Sequence, residues 1–187
     1  MKSNPDNHAH GEFTAPGEVR IVRLLPGPIE RVWEFLTNPE KRARWLCGGV
    51  MEQKAGGKVE FAMHHKNIAP DETPPAKWAH VQDPGVTFEG RVLRCEPPRL
   101  LVFTFGSDDS VATFELSTQG KQVLLTLTHR TTGEEEIAEL TNYASGWHSH
   151  LNLLIALLEG APRPPFWATH MKLLAEYEKL RPSTKAV

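Results

Sequence analysis

The chain has 187 residues and carries 21 Lys and Arg against 23 Asp and Glu, a formal net charge of -2. That near-balance excludes the basic excess expected of a nucleic-acid binder, and a chain this long buries a full core without disulfides or metal. The two cysteines, Cys47 and Cys95, are too few for a disulfide framework and fit a reduced, cytoplasmic setting.

Met1 to Gly17 is polar, contains Pro5, Pro16, His8 and His10, and reads as a flexible N-terminal tail. Residues 18–181 read as one domain and residues 182–187 as a C-terminal tail. Val19, Ile21, Val22, Leu24 and Leu25 predict a first strand that Pro26-Gly27-Pro28 stops. Pro28 suits the first turn of a helix, because its missing N–H has no intrahelical partner there anyway. Ile29, Val32, Trp33 and Leu36 then repeat at helical spacing. Asn38-Pro39-Glu40 starts a second helix, expected to reach about Leu46 and stop at Gly48-Gly49.

Gly56-Gly57 opens a strand from Lys58 to His64. Asn67 to Gly85 is rich in proline, has no clear period and contains Trp78; a loop of this length often serves as a lid. Alternating strands follow at Thr87 to Leu93, Leu101 to Phe105 and Val123 to Thr128. Turns are expected at Glu96-Pro97-Pro98, Gly106 to Asp109 and Gln119-Gly120, and connections this short imply antiparallel neighbours. Thr132 with Glu135 has the spacing of a capping box. In the helix that continues, Tyr143, Trp147, His150, Leu154 and Leu158 share one face. Pro164-Pro165 opens a last helix with Trp167, His170, Leu174 and Tyr177 on one face. The chain has no apolar run of about 18 residues, so membrane insertion is not expected.

The order of these patterns predicts an α+β domain in which a curved antiparallel sheet meets a late helix. It resembles the SRPBCC superfamily, the START- and birch-pollen-allergen-like helix-grip fold. Within that superfamily the chain is most similar to bacterial proteins of the group named after the C-terminal domain of the activator of the heat-shock-protein-ninety ATPase. The resemblance rests on Pro28 to Trp33, Arg44-Trp45-Leu46, Gly56 to Phe61, Gly90-Arg91-Val92 with Glu96 to Leu100, Thr126 to His129, and Gly146 to Leu151. It spans roughly residues 18 to 180. The resemblance implies a sheet wrapped around a long C-terminal helix with an internal cavity. It implies no single activity, since members bind lipids, sterols, hormones or polyketides and a few catalyse cyclisation or hydrolysis.

Nine histidines raise the question of a metal. His148 and His150 are two apart on a helix and diverge, while His64 and His65 are adjacent on a strand and face opposite sides. Zinc needs three or four converging ligands, so neither a metal nor another cofactor is expected. His150 reads either as a ligand-facing acid–base or hydrogen-bonding group or as a histidine paired with a backbone carbonyl; His129 carries the same two readings. Glu89 and Arg91 share a strand face, and they orient a polar ligand if that face is concave or form a solvated pair if it is outer. Trp33 and Trp147 read as core, whereas Trp45 and Trp78 suit a cavity rim or a partner interface.

The reading that follows is a cytoplasmic helix-grip protein that binds a small hydrophobic or amphipathic ligand. No catalytic residue is nominated. The nominated ligand contacts are Trp45, Phe61, Trp78, Phe103, Phe105, Tyr143, Trp147, His150 and Leu154, with the 67–85 loop gating access. Two alternatives come from the resemblance: an interaction module that regulates a chaperone ATPase, and a polyketide-cyclase- or hydrolase-like enzyme using His150 or a cavity carboxylate as its acid–base group. A symmetric homodimer is the default for a bacterial domain of this kind.

Overall fold

A computed structural model describes residues 5–181. Seven strands form one antiparallel sheet: β1 (Glu12–Ala15), β2 (Glu18–Pro26), β3 (Lys58–Met63), β4 (Val86–Glu96), β5 (Leu100–Phe105), β6 (Ser107–Gln119) and β7 (Gln122–Thr131). Their order across the sheet is β1-β2-β7-β6-β5-β4-β3. The helices are α1 (Ile29–Thr37), α2 (Pro39–Arg42), α3 (Ala79–Gln82), α4 (Glu134–Ala138), α5 (Leu140–Glu159) and α6 (Trp167–Leu180). The fold is α+β and of helix-grip type, with α5 held against the concave face of the sheet. None of the helices among the described residues is long and apolar enough to cross a membrane.

Period-two alternation decides which face is concave. Val123, Leu125, Leu127 and His129 of β7 point inward, as do Ala112, Phe114 and Leu116 of β6 and Leu101 and Phe103 of β5. Glu89 and Arg91 lie on the outer face of β4, where Glu89 pairs with Lys58 across the strands. α5 buries most of its length, including Trp147, Leu151, Leu154 and Leu158. α6 packs on α5 through Leu173 and Tyr177.

Several local expectations are corrected. Part of the expected N-terminal tail is a strand: β1 pairs with β2 through Glu12 opposite Arg20, and the Asn7 amide donates to and accepts from the Leu24 backbone. Residues 1–4 and 182–187 lie outside the described residues. The Asn38 cap is present and accepts from the Lys41 amide at 3.0 Å, but α2 ends at Arg42, well before Leu46. There the Arg42 guanidinium turns inward to the carbonyls of Cys47, Gly48, Gly49 and Glu60, satisfying a bend that a continuing helix would not leave.

The 67–85 loop contains short helical turns, one at Ala76–Trp78 and one at α3. The turn expected over four residues at Gly106 to Asp109 contracts to Gly106 alone, whose φ of 89° places it in the left-handed region that favours glycine. The expected capping box is absent. Gly133 occupies the cap position of α4, and Thr132 bonds instead to Asp109 at the start of β6.

Candidate functional site

A cavity of about 270 Å³ lies between the β3–β5 side of the sheet, α5, the first turns of α6 and the 67–85 segment. Its buried floor includes Leu46, Met63, His65, Trp147, His150, Phe166, Trp167 and His170. Its half-buried lining residues, among them Trp78, Val81, Val86, Phe88, Phe105 and Tyr143, mark the side nearest solvent.

Five of the nine nominated residues line this cavity: Trp78, Phe105, Tyr143, Trp147 and His150. The other four are corrected. Trp45 is fully buried and donates from Nε1 to the Phe35 carbonyl at 2.8 Å, so it braces α1 and does not sit at the rim. Phe61 and Phe103 form a second layer, with Phe61 covered by Arg42 and packed against the lining rings of Phe88 and Phe105 at 5.0 and 4.9 Å. Leu154 lies one turn beyond His150, toward the end of α5 that α1 closes by an Arg31 hydrogen bond to Leu158.

The cavity's polar chemistry comes mainly from three histidines. His150 Nδ1 faces the Trp45 carbonyl at 2.6 Å; a carbonyl only accepts, so Nδ1 carries the proton and Nε2 is left as an acceptor. Burial pushes His150 down to about 4, against the raising effect of that hydrogen bond. His65, on a short helical turn after β3, packs edge-on to His150 at 5.2 Å and to Phe166 at 4.8 Å. Both its ring nitrogens are buried without a partner, and burial, helped by His150 and His170, pushes it down to about 2. His170 on α6 stacks parallel to Phe166 and meets Trp78 edge-on at 4.9 Å. Its ring nitrogens are likewise unpaired; the Ser145 carbonyl lies near the ring but outside hydrogen-bond geometry. Burial lowers His170 to about 4.

His129 is fully buried, but it pairs with two side chains and not with the backbone carbonyl expected. It accepts from Trp147 Nε1 at 3.0 Å and so places its own proton on Nε2, toward Ser110 Oγ at 3.1 Å. This chain of bonds locks the Trp147 ring against the cavity. Among the described residues, no set of three or more His, Cys, Asp or Glu side chains has the geometry to hold a metal ion.

The 67–85 segment is clamped to α6. The Glu72 carboxylate accepts from the Phe166 and Trp167 amides at 2.7 and 2.9 Å, where the positive end of the helix dipole favours an anion. Trp167 Nε1 donates to Gln82 at 3.0 Å, and Gln82 returns to the Ala69 carbonyl at 2.8 Å. Trp78 stacks on Trp167 at 6.2 Å.

Sequence reasoning missed His65, His170 and Phe166 as site residues. His170 had a visible signal, its helical spacing with Trp167. His65 had none beyond a second histidine at a strand end.

Comparison with known proteins agrees with this architecture. A search of curated proteins finds no match. The solution structure of the protein encoded by gene BPP1335 of Bordetella parapertussis is 41% identical, with a TM-score of 0.77, covering 91% of this chain and 89% of that one. The crystal structure of CalU16 from Micromonospora echinospora is 25% identical, with a TM-score of 0.65 and 89% coverage of both chains. The conserved protein EF2215 of Enterococcus faecalis, at 17% identity and a TM-score of 0.64, shares the fold. The family described as Activator of Hsp90 ATPase homolog 1-like protein matches residues 26–159, most of the chain, and the chain belongs to that family.

Proposed function

We propose that this chain binds a small, largely apolar molecule in the cavity between sheet and α5, with the 67–85 segment as its gate. One observation carries the reading: a cavity of about 270 Å³ between sheet and helix, lined by the rings of Trp78, Phe88, Phe105, Trp147, Phe166 and Trp167. The lining matches the usual composition of a ligand site, mostly apolar with a few polar groups.

Binding fits the chemistry better than proton transfer. A general base works best with a pKa near the operating pH, and the cavity histidines are held neutral and weakly basic by burial. Native mass spectrometry of freshly purified protein, compared with the same sample denatured, tests the reading. The expected result is a reproducible added mass that is lost on denaturation. A bare protein mass that also takes up no member of a library of one- and two-ring aromatic compounds overturns it.

The match to a family named for activation of Hsp90 ATPase supports a second reading, regulation of a chaperone ATPase. Unchanged ATPase turnover of the host chaperone on addition of this protein rejects it.

A further inference from the structure

α5 carries a glycine that neither its backbone nor its neighbours require. Gly146 lies in the helix interior and its φ is not in the left-handed region. Beyond its two chain neighbours and the helix backbone, a Cβ there would meet no atom within 4 Å. Every other glycine among the described residues has a positive φ, an atom within 4 Å of where its Cβ would stand, or a helix cap position. A glycine inside a helix is destabilising relative to alanine, because it gives up more backbone freedom on folding. Gly146 therefore carries a cost that the fold alone does not explain. At about 100° per residue it falls between Asn142 and His150, in the middle of the stripe by which Asn142, Tyr143, Trp147 and His150 line the cavity.

We propose that Gly146 is the specificity-determining position of the cavity: its missing side chain leaves a notch in the α5 wall that part of the guest fills, and the notch sets how large a guest is admitted. The proposal rests on the cavity-binding reading above and adds the residue that fixes the size of the guest.

The neighbouring rings hold the notch open. Trp147 leans on Phe105 of the sheet, with ring centroids 5.0 Å apart, and its Nε1 is tied to His129. His150 leans on Phe166 at 4.7 Å, and its Nδ1 is tied to the Trp45 carbonyl. Tyr143 stacks on His129 at 4.3 Å. Each ring is thus committed elsewhere, and neither Tyr143 nor His150 comes within 4 Å of the space a Cβ would take. Protein interiors leave few gaps of this kind, because a void forfeits the dispersion contacts of the atoms around it. Here the gap belongs to the cavity wall, so a guest supplies those contacts instead. The surfaces around the notch are the Cα of Gly146 and the flanking rings, so the part of the guest that enters it is apolar. A side chain at this position would take the same space and exclude that part of the guest.

The full chain and its variants Gly146→Ala and Gly146→Leu, titrated with two probes of different size and melted by heat, test this. The larger probe is N-phenyl-1-naphthylamine, followed by its fluorescence; the smaller is 2-naphthol, followed by calorimetry. Gly146→Ala is expected to raise the melting temperature by about 2–4 °C, because it replaces a poor helix former with the best one. Gly146→Leu is expected to weaken the larger probe at least about tenfold and 2-naphthol by less, which shifts the preference toward the smaller probe. Should Gly146→Leu not fold, Gly146→Ala is read by the same measurements, with about a threefold loss expected for the larger probe. A melting temperature that falls in Gly146→Ala assigns the glycine to helix packing and overturns the proposal. An unchanged ratio of the two affinities in the variants also overturns it. The cavity reading stands in both cases. Failure of the unsubstituted chain to bind either probe overturns the cavity reading and this assignment with it.

Discussion

Acidification should unfold this protein with an unusually steep pH dependence, because it buries five histidines as neutral bases. Burial lowers His65 to about 2, His148 to about 3, and His129, His150 and His170 to about 4, all from an ordinary value of 6.5. In the unfolded chain each imidazole protonates near its ordinary value. The folded chain does not take up those protons until far lower pH. Below the ordinary value the unfolded state therefore binds more protons, so stability is fully present above it and is lost as pH falls toward the folded values. Between about pH 7 and about pH 5.5, each histidine costs about 1 kcal/mol and the five together about 5 kcal/mol. That is a large fraction of the roughly 5–15 kcal/mol that holds a typical domain folded. Urea unfolding at the two pH values, followed by tryptophan fluorescence, measures the loss. Calorimetric unfolding in buffers of different ionisation enthalpy measures the proton uptake, expected to approach five near pH 5.5. A loss below about 1 kcal/mol, or an uptake of less than about one proton, would refute the burial argument.

Arg23 is 1% exposed, has an unpaired Nε and Nη2, and bonds only through Nη1 to the neighbouring Val22 carbonyl. Among the described residues it has no ion-pair partner, so Arg23→Met is expected to be neutral or to stabilise the fold by up to about 4 kcal/mol in urea unfolding; a loss above about 2 kcal/mol contradicts this. Glu72→Ala removes the carboxylate that holds the gate to α6, at an expected cost of about 1–2 kcal/mol, with faster limited proteolysis within residues 67–85. Unchanged cleavage of that segment would show that the clamp does not hold it.

The sheet and the late helix were legible because burial imposes a period on the sequence. Val123, Leu125 and Leu127 alternate along a strand, and Trp147, His150 and Leu154 recur along a helix. β1 was hidden because Glu12 to Ala15 has no buried face, and a strand held by one edge pairing leaves no alternation. The early end of α2 was hidden because it depends on Arg42 reaching carbonyls up to eighteen residues away.

The site was half legible for a related reason. The α5 residues Tyr143, Trp147 and His150 shared a face that a helical wheel shows. Which phenylalanines line the cavity and which lie beneath depends on how α2 covers β3, and sequence spacing does not carry that. His65 and His170 come from a short turn and from α6, and only the folded chain packs both against Phe166.

The central claim is that a small, largely apolar molecule binds in this cavity. Its most direct test is the indole N–H region of a proton–nitrogen NMR spectrum, recorded during titration with 2-naphthol. Trp78, Trp147 and Trp167 line the cavity, whereas Trp33 and Trp45 lie outside it, bonded to Gln53 and the Phe35 carbonyl. The account predicts saturable shifts of the first three signals with the other two unmoved. Shifts in Trp33 or Trp45 alone, or no shift in any of the five, would contradict it.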